Sequence, residues 1–103
     1  MSWFKKKTLE ERQEEQFKNY YDNVLCLLQL ALYELEHRDC REFRESLDTL
    51  CQIYIDSVEI KNEQYRSDID YIFKSHIKKY EKLDDDDSFK SVIEKLKSKI
   101  ISK

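Results

Sequence analysis

The sequence predicts an all-α protein, and three observations lead to this fold class. The 103-residue chain contains no glycine and no proline, so tight turns that need a positive φ have no natural host. Charged residues and hydrophobic residues each make up 40% of the chain, which is typical of helices with charged outer faces around an apolar core. Apolar residues recur every three or four positions, as they do on one face of a helix. The length fits a single domain, residues 1–103.

The first helix is predicted over residues 9–37. Thr8 precedes it as an N-cap, and Glu11 three positions later completes a capping box. Residues 1–7 are then expected to be a flexible N-terminal extension. The apolar positions of this helix follow the alternating three-and-four spacing of a packed seam: Phe17, Tyr21, Val24, Leu28, Ala31 and Leu35.

A second helix is predicted after a turn near residues 38–39. Asp39 is its candidate N-cap and Glu42 the capping-box partner. The turn makes the first two helices an antiparallel hairpin. The second seam consists of Cys40, Phe43, Leu47, Cys51, Tyr54 and Val58.

The region after the second seam leaves two architectures open. Asn62 and Ser67 are candidate N-caps for a third helix, which gives an antiparallel bundle of four helices. The apolar seam of residues 65–83 nevertheless lies on nearly the same face as the second seam continued at about 100° per residue. The alternative is therefore a three-helix protein with one long helix spanning about 40–83.

Four consecutive aspartates, residues 84–87, separate this region from a final basic helix predicted over residues 88–101. Asp86 and Asp87 are its candidate caps, and the aspartates are expected to be solvated. The final helix carries an apolar stripe flanked by lysines, which suits both a bundle helix and a helix lying on a membrane surface. The stripe consists of Phe89, Val92, Ile93, Leu96 and Ile100.

Composition and motifs argue against several classes of function. The net charge is −3 with a pI near 5.5, and neutralising phosphates requires a basic surplus, so nucleic-acid binding is not expected. No nucleophile is paired with a base and no glycine-rich loop is available, so we expect no enzyme, no catalytic residues and no cofactor. Cys26, Cys40 and Cys51 form no even disulfide framework, and no metal site is expected. Because the N-terminus does not have a secretory signal pattern, we expect reduced thiols and a cytoplasmic location.

The first helix has more apolar surface than its seam requires. Cys26, Leu30 and Tyr33 point almost opposite to the seam, and a helix of a small bundle is not expected to be apolar all round. We interpret this side as a protein-binding face, with an apolar and aromatic centre inside a polar rim. The alternatives are that another helix covers it or that its apolar residues are scattered exposures. The face consists of Asp22, Cys26, Gln29, Leu30, Tyr33 and His37.

The N-terminal segment suggests a second type of contact. Trp3 and Phe4 are followed by Lys5, Lys6 and Lys7, a combination typical of weak attachment to an anionic membrane surface. Stable attachment usually takes two signals, and the basic final helix is the second candidate. The alternative is a mobile terminus without such a role.

The sequence thus predicts a small non-enzymatic helical binding protein that acts by protein–protein contact. An inhibitor, immunity or accessory protein of bacterial or phage origin is the favoured class, because the chain is short and carries surplus apolar surface without an active site. The partner is another protein or a second copy in a homodimer. The alternatives are a peripheral membrane protein at the inner face of the membrane and a structural homodimer.

Overall fold

A computed structural model describes residues 9–59 and 62–101, which form four helices. The predicted four-helix all-α fold is confirmed. The alternative with one long helix over residues 40–83 is wrong, since the helix that begins at Cys40 ends at Ser57 and a new one begins at Glu63. The helices are α1 (Leu9–Glu36), α2 (Cys40–Ser57), α3 (Glu63–Leu83) and α4 (Lys90–Ile101). Thr8, the predicted cap of the first helix, lies outside the described residues.

Capping explains why the second and third helices are separate. The side-chain oxygen of Asn62 accepts hydrogen bonds from the backbone N–H groups of Gln64 and Tyr65 at 3.0 and 3.2 Å, which satisfies two of the donors that a helix start leaves unpaired. The guanidinium of Arg66 donates to the carbonyl of Ser57 at 2.9 Å, linking the two sides of the break. Asn62, one of the two predicted caps, therefore starts α3.

The apolar seams of α2 and α3 would lie on one face of a continuous helix. Because the chain turns between α2 and α3, the two seams instead pack against each other in the core. The rings of Tyr54 and Phe73 lie 5.1 Å apart, nearly edge to face. The Tyr54 hydroxyl also donates to the carboxylate of Asp70 at 2.6 Å. Burial, followed by this bond to Asp70, raises the pKa of Tyr54 well above the ordinary tyrosine value.

Each helix packs mainly against two others. α1 lies beside α2 and α3, and α4 lies beside the same two helices. Phe17 meets Tyr65 near the starts of α1 and α3, and Leu28 meets Tyr80 further along both, so these two neighbours run parallel. α1 and α4 therefore occupy opposite corners, and neither of the two helices beside α1 lies over its outward side.

The core combines aliphatic residues with aromatic rings. Phe43 lies at its centre, in edge-to-face contact with Tyr80 and Phe89 at centroid distances of 5.5 and 5.0 Å. Such contacts add about 1 kcal/mol each beyond area burial. The residues of the second seam at the two ends of α2, Cys40 and Val58, are exposed, so the prediction that they pack inward is wrong. The fully buried large side chains include Leu28, Leu35, Leu47, Leu50, Ile69, Ile93 and Leu96.

The turns use non-glycine residues with positive φ, contrary to the expectation that such positions have no host here. Arg38 has a φ of 56° and Asp87 a φ of 59°. After α1, the N–H groups of Arg38 and Asp39 bond the carbonyls of Leu35 and Glu34 at 3.0 and 2.9 Å, the pairing of a Schellman motif. Asp39 makes no side-chain cap hydrogen bond. The predicted capping box is therefore wrong, because Asp39 serves to end α1.

The aspartate run is only partly solvated. Asp84 is 4% exposed, and both of its carboxylate oxygens lie 3.1 Å from the backbone N–H of Phe89, which donates to them. Asp86 accepts from the N–H of Ser88 at 3.1 Å. Caps were predicted at Asp86 and Asp87. The turn is built around the buried Asp84, so α4 begins only at Lys90. Asp87 adopts a left-handed backbone conformation in this turn and does not cap the helix.

Replacing Asp84 tests this turn. Asp84→Ala leaves the buried N–H of Phe89 without its acceptor, which typically costs about 1–3 kcal/mol of the free energy of unfolding. Asp86→Ala is the control, since both of its partners, Ser88 and Arg38, are exposed and water replaces the lost contacts. Urea denaturation followed by circular dichroism should show the larger loss for Asp84→Ala. Equal losses in the two variants would contradict the role of the buried carboxylate.

Candidate protein-binding face

The predicted face lies on the side of α1 that points away from the core. Successive residues of a helix are rotated by about 100°, so burial of Val24, Leu28 and Leu35 turns the opposite side outward. Leu30 is 50% exposed and Tyr33 58%. Among the described residues no helix covers this side, which excludes the alternative of a central α1. All six predicted residues are exposed, namely Asp22, Cys26, Gln29, Leu30, Tyr33 and His37; we call them the outer face of α1.

The carboxyl-terminal part of the outer face is ordered by its own contacts. The rings of Tyr33 and His37 stack with centroids 4.0 Å apart and an angle of 31° between their planes. The Nδ1 atom of His37 lies 2.9 Å from the carbonyl oxygen of Tyr33, to which it can only donate. This bond fixes the imidazole over the last turn of α1 and directs Nε2 to solvent. The two rings therefore form a preorganised aromatic pair.

Buried polar contacts attach both flanks of α1 to its neighbours. The hydroxyl of Tyr80 in α3 donates to the carbonyl of Leu28 at 2.6 Å, and burial raises the pKa of Tyr80, with a further contribution from the charge of Glu34. On the other flank, the hydroxyl of Ser46 in α2 donates to Glu34 at 2.6 Å. These contacts lie directly behind the outer face, which is thus presented on a fixed backbone.

A third contact extends this attachment toward the amino-terminal half of α1. The Tyr20 hydroxyl donates to the carbonyl of Ile53 at 2.8 Å. Burial, and then the nearby charge of Asp56, raise the pKa of Tyr20. The contact pairs α1 with the carboxyl-terminal half of α2. The part of α1 that carries Asp22 and Cys26 is therefore also anchored from behind.

Other large apolar side chains are exposed in places that the sequence did not single out. Ile55 and Val58 near the end of α2 are 45% and 56% exposed, and Tyr71 on α3 is 73% exposed. Val58 was assigned to the core because it continues the spacing of the second seam. Its position at the end of α2 argues against burial, since the ends of a helix extend beyond the core. Ile55 and Val58 are aliphatic and lie among exposed polar residues, but they do not carry a ring pair such as that of Tyr33 and His37.

Two of the three cysteines, Cys26 and Cys51, have the exposure predicted for them, whereas Cys40 does not. All three thiols are free; Cys26 and Cys40 are exposed, whereas Cys51 is buried. Burial raises the pKa of the Cys51 thiol, partly offset by the charge of Lys95. Cys26 on the outward side and Cys51 on the inward side of their helices cannot turn toward each other, as a disulfide requires. Cys26 is therefore the thiol whose reactivity measures how accessible the outer face is.

The described residues contain no group of three or more His, Cys, Asp or Glu side chains that could hold a metal ion.

His76, which lies on the apolar face of α3, is 5% exposed, and its Nδ1 donates to the carbonyl of Ile72 at 2.8 Å. Burial lowers the pKa of His76, although the bond to Ile72 opposes this change. His76 is therefore a core residue with a satisfied ring nitrogen.

The final helix packs as a bundle helix. Phe89, Ile93 and Leu96 are at most 2% exposed, so its apolar stripe faces the core and is not available to a lipid surface. Lys95 forms an ion pair with Asp48 of α2 at 3.3 Å, and Lys97 forms one with Glu81 of α3 at 3.2 Å. No described helix is long and apolar enough to cross a membrane. The predicted membrane contact at Trp3, Phe4, Lys5, Lys6 and Lys7 lies outside the described residues.

The grooves of the described bundle are small and lie away from the outer face. One of about 220 Å³ runs between α3 and α4, with an apolar floor of Ile77 and Ile100 and a rim of charged side chains that includes Lys74. None of its lining residues is a serine, cysteine or histidine that could act as a nucleophile paired with a base. This groove therefore has an apolar floor between charged side chains, and it does not overlap the outer face.

Comparisons with known proteins find no match: no family model fits the sequence, and neither curated proteins nor solved structures give a significant similarity. The function has therefore to be inferred from the geometry of this chain. The feature that the geometry distinguishes is the outer face of α1, which combines apolar exposure, an ordered ring pair and a fixed backbone.

The buried His76 predicts a pH dependence of stability. Its pKa is lowered on folding, so between the ordinary value of about 6.5 and the folded value the unfolded chain binds more protons. The free energy of unfolding should fall as the pH drops through this window and level off below the folded pKa. Urea denaturation at a series of pH values should show a steeper fall for the native protein than for His76→Gln. Parallel curves would contradict a neutral buried His76.

Proposed function

We propose that this protein acts by binding another protein through the outer face of α1, without carrying out chemistry. The observation that carries the proposal is the exposure of Leu30 and Tyr33, 50% and 58%, on a helix whose opposite side is fully used by the core. Interfaces concentrate their binding energy in a few aromatic and aliphatic anchors surrounded by polar groups. Asp22, Gln29 and His37 supply such a surrounding.

The energetic scale of this face supports specific rather than very tight binding. Complete burial of a leucine side chain contributes about 1.5–3 kcal/mol, so covering the exposed half of Leu30 contributes about half of that. Tyr33 adds more, because tyrosine is enriched at interface hot spots and its ring is already held against His37. The rigid backbone beneath lowers the entropic cost of association.

Within this class, an inhibitor, immunity or accessory protein of bacterial or phage origin, acting in the cytoplasm, remains the favoured proposal. A single small domain that offers a preformed helical surface suits a protein whose role is to occupy a site on a partner. The burial of the apolar stripe of α4 weighs against the peripheral membrane alternative, since it removes one of the two signals on which that alternative relies. The remaining signal is the segment from Trp3 to Lys7.

Capture of a partner from the native host tests the proposal. Tagged protein, Leu30→Glu and Ile55→Glu should be incubated with soluble and membrane fractions kept separate, and recovered proteins quantified by mass spectrometry. Leu30→Glu places a charge in the centre of the outer face, and we expect at least a tenfold loss of the soluble partner, about 1.4 kcal/mol. Ile55→Glu is the matched control, a similar change at a 45% exposed position on α2.

Circular dichroism of both variants has to show intact helices for the comparison to count. Equal capture by the two variants would contradict a role for the outer face. Loss only in Ile55→Glu would move the binding surface to the end of α2. Recovery mainly from the membrane fraction, abolished by deletion of residues 1–7, would favour the membrane alternative instead.

A further inference from the structure

Positive charge is concentrated on one side of this acidic chain. The part of α3 from Lys74 onward and the whole of α4 together carry eight lysines and two glutamates. The complete chain nevertheless has a net charge of −3, so the acidic surplus lies elsewhere. A surface of one sign attracts partners of the opposite sign, which makes the α3–α4 side a place to look for contacts with an anionic partner.

The groove between α3 and α4 is where this positive charge meets apolar surface. Its floor consists of Ile77 and Ile100, and its rim of Lys74, Lys78, Glu81 and Lys97. The carboxylate of Glu81 accepts from Lys97 at 3.2 Å, so the charge of Lys97 is already balanced. Lys74 and Lys78 form no ion pair within residues 9–59 and 62–101. The groove therefore has two uncompensated positive charges beside an apolar floor.

The size of the groove limits what it can hold. Pockets for drug-sized molecules usually measure about 300–1,000 Å³ and bury most of the ligand, whereas a cavity of about 150 Å³ already holds a benzene ring. This groove has a volume of about 220 Å³ and is open to solvent. It has room for one leucine or phenylalanine side chain, and a free small molecule would stay largely exposed in it. The groove is better suited to the single apolar side chain of a longer segment.

Tyr71 extends the same surface along α3. Its side chain is 73% exposed, and at about 100° per residue it lies within about 20° of the direction of Lys78, two turns earlier in the helix. Ile100, the residue before the end of α4, lines the groove together with Lys74, so α4 ends before it reaches Tyr71. An exposed aromatic ring therefore continues the groove, and tyrosine is enriched among the residues that dominate binding energy.

We propose that the groove between α3 and α4 binds an acidic peptide segment of another protein, with one apolar side chain of the segment between Ile77 and Ile100. Carboxylates of the segment pair with the ammonium groups of Lys74 and Lys78, and the segment continues over Tyr71. The inference goes beyond the proposed function, because this second surface does not overlap the outer face of α1.

The opposite end of the groove determines the direction of the segment. Toward the turn after α3, Glu81 also borders a second cavity, of about 160 Å³. Its charged lining consists of Glu81, Asp84, Asp87 and Glu94 with one lysine, Lys90. Carboxylates of a bound segment would meet like charges there. The acidic residues of the segment therefore lie over Lys74 and Lys78 and extend toward Tyr71, away from the turn.

A blocked peptide with glutamates on both sides of a central phenylalanine is the probe. It should be titrated at low salt into the full chain labelled with ¹⁵N, and binding followed by amide chemical shifts. We expect the largest shifts at Ile77, Lys78 and Ile100, and an affinity that falls as salt screens the exposed lysines. The same peptide with lysines for glutamates, or with alanine for phenylalanine, should bind at least about fivefold more weakly.

Variants of the protein locate the contact. Lys78→Glu should weaken binding of the glutamate peptide at least about fivefold, because it opposes like charges. Lys18→Glu is the matched control, the same change of net charge at an exposed position of α1, and should bind as the native protein does. Leu30→Glu should also bind the peptide normally, so failure of the outer face and failure of the groove are separate results. Circular dichroism has to show intact helices in all three variants.

The other outcomes each contradict a part of the proposal. Equal peptide affinity of Lys78→Glu and Lys18→Glu, or the absence of shifts at Ile77 and Ile100, would overturn the groove as the site. Phenylbutyrate that binds as tightly as the peptide would overturn a peptide segment as occupant and indicate a small carboxylate. A native dimer in sedimentation velocity that the peptide dissociates would overturn a different protein as occupant and indicate a second copy.

Discussion

The bundle has to reverse direction without glycine or proline, and one end of it shows how this constraint is met. Arg38 adopts a left-handed conformation after α1, and its guanidinium donates to the carbonyl of Leu83 at 3.2 Å and to Asp85 at 3.1 Å. The turn after α1 is thereby tied to the turn after α3. Next to it, the buried carboxylate of Asp84 holds the N–H of Phe89. This polar cluster joins the two turns at one end of the bundle, while the shared hydrophobic core packs the four helices against one another.

The exposure of the outer face follows from that placement. α1 lies beside α2 and α3, and the hydroxyls of Tyr80 and Ser46 donate hydrogen bonds to α1 from those two sides. α4 fills the opposite corner with its apolar stripe buried. Most large apolar side chains of the described helices therefore face a common core, whereas Leu30 and Tyr33 on the outward side of α1 stay exposed, as do Ile55, Val58 and Tyr71 elsewhere. A side that the fold does not use, on a helix that the fold holds rigid, is what a binding surface requires.

Helix periodicity was sufficient to predict the helices and the outward residues of α1, but not the exposed residues at the ends of α2, the turns or the arrangement. The first helix was predicted at 9–37 and is observed at Leu9–Glu36, and the six outer-face residues were placed correctly because inward and outward sides alternate with a fixed angle. The seams of α2 and α3 were also compatible with one long helix, because a seam shows which side of a helix faces the core but not which helix packs against it. The hydrogen bonds by which Asn62 caps α3 separate the two helices. Burial of Asp84 could not be read from four identical aspartates. Binding at the outer face stays a prediction.

Alkylation of Cys26 is the measurement that tests most directly whether the outer face is a binding surface. In a Cys40→Ser background, a bulky maleimide should react rapidly with the exposed Cys26 and slowly with Cys51, which is buried and has a raised pKa. The account predicts that the labelled protein keeps its helical circular dichroism but loses capture of its partner. Protection of Cys26 comparable to that of Cys51 would contradict an uncovered face. Undiminished capture of the partner after complete labelling would show that the face is exposed without being used for binding.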